Sequence, residues 1–137
     1  MAGYSGTPLP RKLGIKDEFH VALLGMPSDV KAELKSSLAA CRIDTRGPFD
    51  FAMIFVKSAA DLKKKFPAIS KRLAPDGMLW VSWPKKASGV ATDLAENEVR
   101  RIGLEAGLVD VKVCAVNDVW SGLKFVIRLK DRPKSGA

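Results

Sequence analysis

Short apolar segments alternate with amphipathic ones through the first two thirds of the chain. Four of these segments predict β-strands, because each is brief and is bounded by turn residues. The predicted strands cover residues 21–24, 41–45, 51–56 and 78–83, with 41–45 the weakest in pattern. The segment 51–56 is apolar at every position, which is typical of a strand that is buried on both faces of a parallel sheet.

Between these strands, apolar residues recur at three- and four-residue spacing, which predicts helices with one buried face. We expect Ser28 to cap the first helix, and Ser58 with Asp61 to form a capping pattern for the second. Pro67 should kink or split this second helix, because proline lacks the N–H that a helix interior needs. The two apolar stripes are Val30, Leu34 and Leu38, and then Leu62, Phe66, Ile69 and Leu73.

A third helix and two final strands complete the pattern. Asp93 and Glu96 resemble a capping pattern ahead of this helix, which should end at Gly107. Residues 111–116 and 123–129 then show period-two alternation, which predicts two adjacent antiparallel strands. Their connection carries Trp120 at or near its tip. The predicted fold class is therefore α/β, a three-layer sandwich with a mostly parallel sheet that ends in an antiparallel pair.

Glycine and proline positions suggest how the chain is divided. Residues 1–17 contain several glycines and prolines and are predicted to form a flexible N-terminal arm without regular structure. Residues 18–130 form a single α/β domain, in which residues 75–77 are expected to turn the chain into the strand 78–83. Residues 131–137 are polar and are predicted to be a disordered tail.

Composition narrows the function classes. The formal net charge of +8 favours encounters with anionic ligands by long-range attraction. Cys41, Cys114 and the single histidine, His20, are too scattered for a usual zinc site or a nucleophile–base pair, so we expect neither a metal nor catalytic residues of those types. No apolar run is long enough to cross a bilayer and no signal sequence is visible, so we expect a cytoplasmic protein without a membrane partner.

The strand-to-helix connection after residue 83 is the strongest candidate ligand site. Ligands of open α/β sheets bind at the carboxyl ends of strands. We expect Lys85 and Lys86 to lie close ahead of a helix N-terminus, where ammonium groups and free N–H donors both favour an anion. The candidate ligand-binding residues are Trp83, Lys85, Lys86, Ser88, Gly89 and Trp120.

The turn after the first predicted strand offers a second, weaker site. Gly25 could let a cofactor approach the backbone closely, although Pro27 removes one backbone donor from the same turn. Asp44 follows 19 residues later and could accept a hydrogen bond from a ribose hydroxyl; a solvated turn residue is the competing interpretation.

Four stretches resemble an uncharacterised family of small bacterial proteins whose function is unknown. They are residues 4–10, 83–94, 107–116 and 120–125, so the resemblance spans nearly the whole chain. It implies no particular activity.

Other stretches resemble class I S-adenosylmethionine-dependent methyltransferases. Residues 73–80 are similar to the turn before that family's fifth strand, and residues 105–111 to the element that leads into its sixth. The resemblance covers about residues 50–130 and implies a Rossmann-like sandwich with S-adenosylmethionine as a cofactor. The chain is short for the full seven-strand fold, so one strand–helix unit should be missing, and the turn at Gly25 lacks the family's other glycines.

Three functional hypotheses follow. The preferred one is a non-catalytic, methyltransferase-like module without a cofactor, which binds a small anionic molecule or a protein partner. The first alternative is a small S-adenosylmethionine-dependent methyltransferase, since methyl transfer can proceed by positioning alone. The second is non-specific nucleic-acid binding through the lysines of residues 63–65 together with Lys71 and Arg72. No recognition motif supports it, and we do not favour it.

Overall fold

A computed structural model describes residues 7–132 of the chain. The described part contains one six-stranded sheet with the strand order β2-β1-β3-β4-β6-β5. The strands are β1 (His20–Leu24), β2 (Arg42–Ile43), β3 (Phe49–Phe55), β4 (Leu73–Pro84), β5 (Leu108–Ala115) and β6 (Trp120–Ile127). The helices are α1 (Leu9–Leu13), α2 (Ser28–Leu38), α3 (Ala59–Ser70) and α4 (Glu96–Glu105), and short 3₁₀ turns occupy Lys86–Ser88 and Leu129–Asp131.

The fold class predicted from the sequence is confirmed. Strands β1 to β4 pair in parallel, and β6 pairs antiparallel with both β4 and β5. The side chains of α3 and α4 share one buried cluster with one face of the sheet, and those of α1 and α2 share a second cluster with the other face. The molecule is therefore a three-layer sandwich in which helices cover both sides of the sheet.

Strand β3 is buried on both faces, as its continuous apolar sequence predicts. Phe51, Met53 and Phe55 pack into the cluster on the α1 and α2 side, whereas Ala52 and Ile54 pack into the cluster on the α3 and α4 side. Because both faces of β3 are covered, its carboxyl end is held firmly where the loop to α3 begins.

Proline and glycine do not interrupt the elements in which they lie. Helix α3 is not split at Pro67, because the buried side chains of Leu62, Phe66 and Ile69 hold it to the sheet on both sides of the proline. The turn expected at residues 75–77 lies inside β4, where the partner of β3 jumps from Leu73 to Met78 and residues 74–77 form a bulge.

Two capping predictions are also wrong. Ser28 is the first residue of α2 and Pro27 precedes it, without a side-chain cap. Asp93 does not cap α4, which begins after Ala95; its carboxylate instead accepts a hydrogen bond from the Ala59 N–H at 2.8 Å and so caps α3. Sequence spacing identified a capping residue here but not the helix that it serves.

The predicted N-terminal arm is partly a docked element. Helix α1 ends at Gly14, which adopts the left-handed conformation, and Leu9 and Leu13 are both buried. The indole N–H of Trp80 donates to the Leu13 carbonyl oxygen at 2.9 Å and ties α1 to the sheet. The prediction of irregular structure over residues 1–17 is therefore wrong for residues 9–13. Residues 1–6 and 133–137, which include most of the predicted tail, lie outside the described residues.

Within residues 7–132, no helix has the length and apolar character needed to cross a membrane.

Candidate functional site

The strand order creates a point where the direction of the chain reverses across the sheet. From β1 the chain moves to β2 on one side, and from there to β3 on the opposite side of β1. The connections that follow β1 and β3 therefore leave the sheet in different directions. In open α/β sheets the crevice outside the carboxyl ends of two such strands is the usual position of a ligand.

A cleft of about 510 Å³ lies at this position, and we call it the switch-point cleft. Its volume falls within the range of about 300–1,000 Å³ that is common for small-molecule sites. Its lining residues follow β1, end β3, begin α3 and begin β6: Gly25, Pro27, Phe55, Val56, Lys57, Ser58, Asp61 and Trp120.

The β1 side of the cleft is formed by a glycine that the backbone requires. Gly25 has a φ of +68°, and a Cβ atom at this position would lie 3.0 Å from the Phe55 carbonyl oxygen. A side chain here would be strained and would crowd the end of β3. Gly25 therefore lets the two strand ends come close together and leaves backbone accessible to a ligand.

The β3 side of the cleft is fixed by hydrogen bonds from the loop that precedes α4. The Thr92 hydroxyl donates to the Lys57 carbonyl oxygen at 2.6 Å. The Ser58 hydroxyl oxygen accepts from the Asp61 N–H at 3.1 Å, as the capping pattern predicts. Since the Ala59 N–H also donates to the Asp93 carboxylate, most backbone donors in the first turn of α3 are already hydrogen-bonded. A ligand in the cleft would therefore contact side chains rather than free backbone donors of this helix.

Two charged side chains line the cleft, and they differ in whether they form an ion pair. The Asp61 Oδ2 atom pairs with the Lys65 ammonium at 3.0 Å, which leaves Oδ1 as an acceptor. The Lys57 side chain is exposed and has no carboxylate within salt-bridge distance among the described residues. Lys57 therefore supplies the uncompensated positive charge of this cleft.

Trp120 forms the apolar wall and is a predicted site residue that does reach the cleft. It is the first residue of β6, opposite Pro84, whereas the sequence placed it within the connection, at or near its tip. Its ring is mostly buried and packs edge-to-face on Phe55, with ring centroids 5.0 Å apart. The Asn117 side-chain oxygen accepts from the N–H groups of Val119 and Trp120 and closes the turn before it.

The other five candidate ligand residues do not line the switch-point cleft. Trp83 is buried in the cluster on the α3 and α4 side of the sheet, so it is a core residue. The Ser88 hydroxyl is used within its own turn, where it donates to the Lys85 carbonyl oxygen at 2.6 Å and accepts from the Val90 N–H. Lys86 and Gly89 are exposed on the same turn.

Contrary to the prediction, Lys85 and Lys86 are not close to the N-terminus of α4 but lie at a single 3₁₀ turn, Lys86–Ser88. Helix α4 begins only at Glu96, after a long loop. The loop takes this path because Thr92 and Asp93 bind the backbone of Lys57 and Ala59 before the helix can start. The field of α4 therefore does not reinforce the charge of the two lysines.

Asp44 is not brought together with Gly25. Its carboxylate accepts from the Arg46 N–H at 2.9 Å and contacts His20 Nε2 at 2.6 Å, while His20 Nδ1 lies 3.1 Å from an Arg42 guanidinium nitrogen. These hydrogen bonds, first that from the Arg46 backbone and then that from His20, lower the pKa of Asp44. Because β2 is only two residues long, Asp44 lies beside the start of β1, whereas Gly25 follows its end. The predicted ribose contact is therefore wrong for this geometry.

The two cysteines show no sign of catalytic use. Burial raises the pKa of both thiols, Cys114 and Cys41, which disfavours the reactive thiolate. Within residues 7–132, no group of three or more side chains could hold a metal ion.

Sequence reasoning missed Lys57, Ser58 and Asp61 as site residues, although they follow the most clearly predicted strand. The rule that ligands bind at the carboxyl ends of strands led to Trp83, and it applies equally to the residues after β3. What the sequence could not show was the strand order, which makes the end of β3, rather than the end of β4, one side of the switch point.

Comparisons with known proteins add information on the fold. No protein-family model and no curated protein matches the chain, so the resemblance to the uncharacterised bacterial family is not confirmed. Many solved structures are similar in fold. One is the O-methyltransferase NcsB1 from neocarzinostatin biosynthesis, in complex with S-adenosylmethionine and 2-hydroxy-5-methyl naphthoic acid, with a TM-score of 0.62 and 9% identity over 80% of this chain.

Two further similar structures are closer to this chain in length. A methyltransferase from Aquifex aeolicus has a TM-score of 0.60 and 15% identity, with 88% of each chain covered. Magnesium protoporphyrin IX methyltransferase from Synechocystis, with bound S-adenosylmethionine, has a TM-score of 0.57 and 10% identity, with 88% of this chain and 74% of that chain covered. The chain spans about half the length of NcsB1, at 49%. At such identities the likeness concerns the fold alone: this chain has the α/β Rossmann-like fold of S-adenosylmethionine-dependent methyltransferases, with an antiparallel strand pair at the end of a mostly parallel sheet.

Proposed function

We propose that this protein binds S-adenosylmethionine in the switch-point cleft and transfers its methyl group to a small acceptor molecule. The observation that carries the proposal is the position of the cleft, at the carboxyl ends of β1 and β3 in a sheet with a methyltransferase fold. The solved neighbours support the same choice, since several of them contain S-adenosylmethionine or its demethylated product.

The residues of the cleft fit the chemical groups of this cofactor. The Lys57 ammonium complements a carboxylate, the Oδ1 atom of Asp61 can accept from a ribose hydroxyl, and the Trp120 side chain contributes apolar surface for a base. Gly25 permits close approach to the backbone. The cofactor itself supplies the electrophilic methyl group.

Catalysis at such a site requires orientation more than acid–base groups. Methyl transfer gains its rate when donor and acceptor are held in line and water is excluded. The part of the chain that the structure describes places Lys57, Ser58 and Trp120 around one opening, so these residues would position the two reactants. This role is consistent with the chemistry of the lining residues, because the described residues around the cleft include no histidine or cysteine.

Calorimetric titration with S-adenosylhomocysteine tests the proposal. We expect saturable binding to the wild-type protein and binding about two- to tenfold weaker to Lys57→Gln, since a partly exposed ion pair contributes about 0.2–1 kcal/mol and somewhat more in a cleft. Lys86→Gln removes the same charge from the neighbouring exposed turn and should bind like wild type. An absence of binding at millimolar ligand would contradict the proposal.

A non-catalytic binding module remains the second candidate. Two observations favour it. Asp44 is bound to His20 and Arg42, and the turn after β1 contains one glycine and Pro27. Such a module would hold a small anionic molecule or a protein partner at the same cleft. Incubation with methyl-labelled S-adenosylmethionine and a panel of small phenols and carboxylates separates the two, because only the enzyme releases S-adenosylhomocysteine.

A further inference from the structure

A second cavity lies on the outer side of the sheet, between helix α2 and the edge strand β2. It has a volume of about 410 Å³, within the range of about 300–1,000 Å³ of small-molecule sites. It shares no lining residue with the switch-point cleft. We call it the edge cavity, and its lining residues are Leu23, Lys31, Lys35, Leu38, Ala39 and Ile43.

The floor of the edge cavity is apolar and partly open to solvent. Ile43 is 49% exposed, although it is a large apolar residue in a strand. The exposure arises because β2 is the outermost strand in the described sheet and is only two residues long, so no strand covers its outer side. Leu23 and Leu38 continue the apolar surface inward toward the cluster beneath α2. Apolar surface grouped in a concave site marks a place where an apolar body can bind.

The rim of the edge cavity is cationic. Lys31 and Lys35 are exposed and lie one helical turn apart on α2, on the side that faces the cavity. Neither has a carboxylate within salt-bridge distance in the described part of the chain. Like charges four residues apart on a helix destabilise it slightly. An anionic group held between the two ammonium groups would relieve this repulsion.

From this arrangement we propose that the edge cavity binds a small anionic amphiphile of the fatty-acid type. Its hydrocarbon chain would lie on Leu23, Leu38 and Ile43, and its carboxylate would lie between Lys31 and Lys35. A neutral apolar ligand would leave the lysine pair uncompensated, and a small hydrophilic anion would leave the apolar floor exposed. The proposal concerns a site separate from the switch-point cleft and does not depend on methyl transfer.

An NMR titration with decanoate, below its micellar concentration, of protein labelled at its methyl and amide groups tests the proposal. We expect saturable shifts of the methyl groups of Leu23, Leu38 and Ile43, and none of the amide of Gly25 in the switch-point cleft. Acetate should cause no such shifts, and decanol should bind about tenfold more weakly than decanoate, since its chain is the same but it carries no charge for the two lysines.

Matched variants distinguish binding in the edge cavity from attraction of the ligand to the overall positive charge of the protein. The double variant Lys31→Gln and Lys35→Gln should weaken decanoate binding about tenfold, at roughly 0.7 kcal/mol for each exposed ion pair. The double variant Lys63→Gln and Lys64→Gln removes the same charge from an exposed face of α3 and should leave binding unchanged.

Three results would overturn the proposal. The first is an absence of saturable shifts at Leu23, Leu38 and Ile43. The second is equal loss of affinity in both double variants, which would show that overall charge is responsible. The third is a stable dimer in sedimentation velocity that Ile43→Ser dissociates, because the edge cavity would then be covered by a second copy of the chain.

Discussion

At the scale of single residues, the carboxylate of Asp44 contacts three neighbouring groups at the edge of the sheet. It receives the Arg46 N–H, contacts the His20 ring and lies 3.8 Å from the Arg42 guanidinium. These contacts hold the short strand β2 against the start of β1. The residue that the sequence offered for a ribose hydroxyl therefore has a structural role at the opposite end of the strand.

The role of Asp44 predicts a pH-dependent contribution to stability. Because its folded-state pKa is lowered, its stabilisation should be fully present above the unfolded-state value of about 3.9 and be lost as the pH falls through the lower folded-state pKa. We expect Asp44→Asn to be less stable than wild type in urea at neutral pH, and the gap to close in strong acid. A gap that stays constant down to acid pH would show that the carboxylate charge is not responsible.

At the scale of elements, the start of α3 decides the shape of the switch-point cleft. Ser58 caps this helix from its own chain segment, and Asp93 caps it from the loop before α4. The sequence pattern identified Ser58 correctly because that bond is local. It assigned Ser28 and Asp93 wrongly, because a capping side chain can be left unused or can reach a helix that is distant in sequence.

Two serine substitutions test this account of capping. We expect Ser58→Ala to reduce the free energy of unfolding by about 1 kcal/mol, since it leaves the Asp61 N–H without its acceptor. Ser28→Ala should have almost no effect, because Ser28 makes no capping bond to α2. Urea unfolding of the two variants gives both values, and equal losses would refute the assignment.

Helix α1 shows how a short element can belong to the core despite a sequence that is rich in proline and glycine. Leu13 is fully buried, and its carbonyl oxygen accepts from the Trp80 indole. We expect Leu13→Ala to destabilise the protein by about 2–5 kcal/mol through the cavity that it leaves. Leu129→Ala is the matched control, because Leu129 is 79% exposed. Similar unfolding midpoints for the two variants would show that α1 is a free arm.

At the scale of the whole molecule, the fold was predictable and the site was predictable only in part. Period-two alternation, the fully apolar segment of β3 and the helical stripes are local signals, so element types and the mixed sheet follow from them. The order of the strands depends on contacts between distant segments, and it alone determines that the ends of β1 and β3 face one cleft. Gly25 was identified from its position after a strand, and Trp120 as an aromatic residue in the connection between the last two strands. Trp83 was misassigned because burial of its ring cannot be read from its position before Pro84.

The same strand order explains both the switch-point cleft and the edge cavity. Six strands occupy the described sheet, in agreement with the expected loss of one strand–helix unit from a seven-strand fold. The outer side of β2 is consequently uncovered, which opens the edge cavity, while the reversal between β1 and β3 is kept, which preserves the switch-point cleft. A sheet with this strand order can therefore form the switch-point cleft and leave apolar surface uncovered at its β2 edge.

A site-resolved NMR titration with S-adenosylhomocysteine tests the central claim most directly. If the switch-point cleft binds this ligand, the amides of Gly25, Lys57 and Ser58 and the indole N–H of Trp120 should shift with one saturable curve. The amide of Asp44 and the indole of Trp83 should not move, because neither lines the cleft. Shifts centred on Asp44, or no shifts at millimolar ligand, would contradict the account.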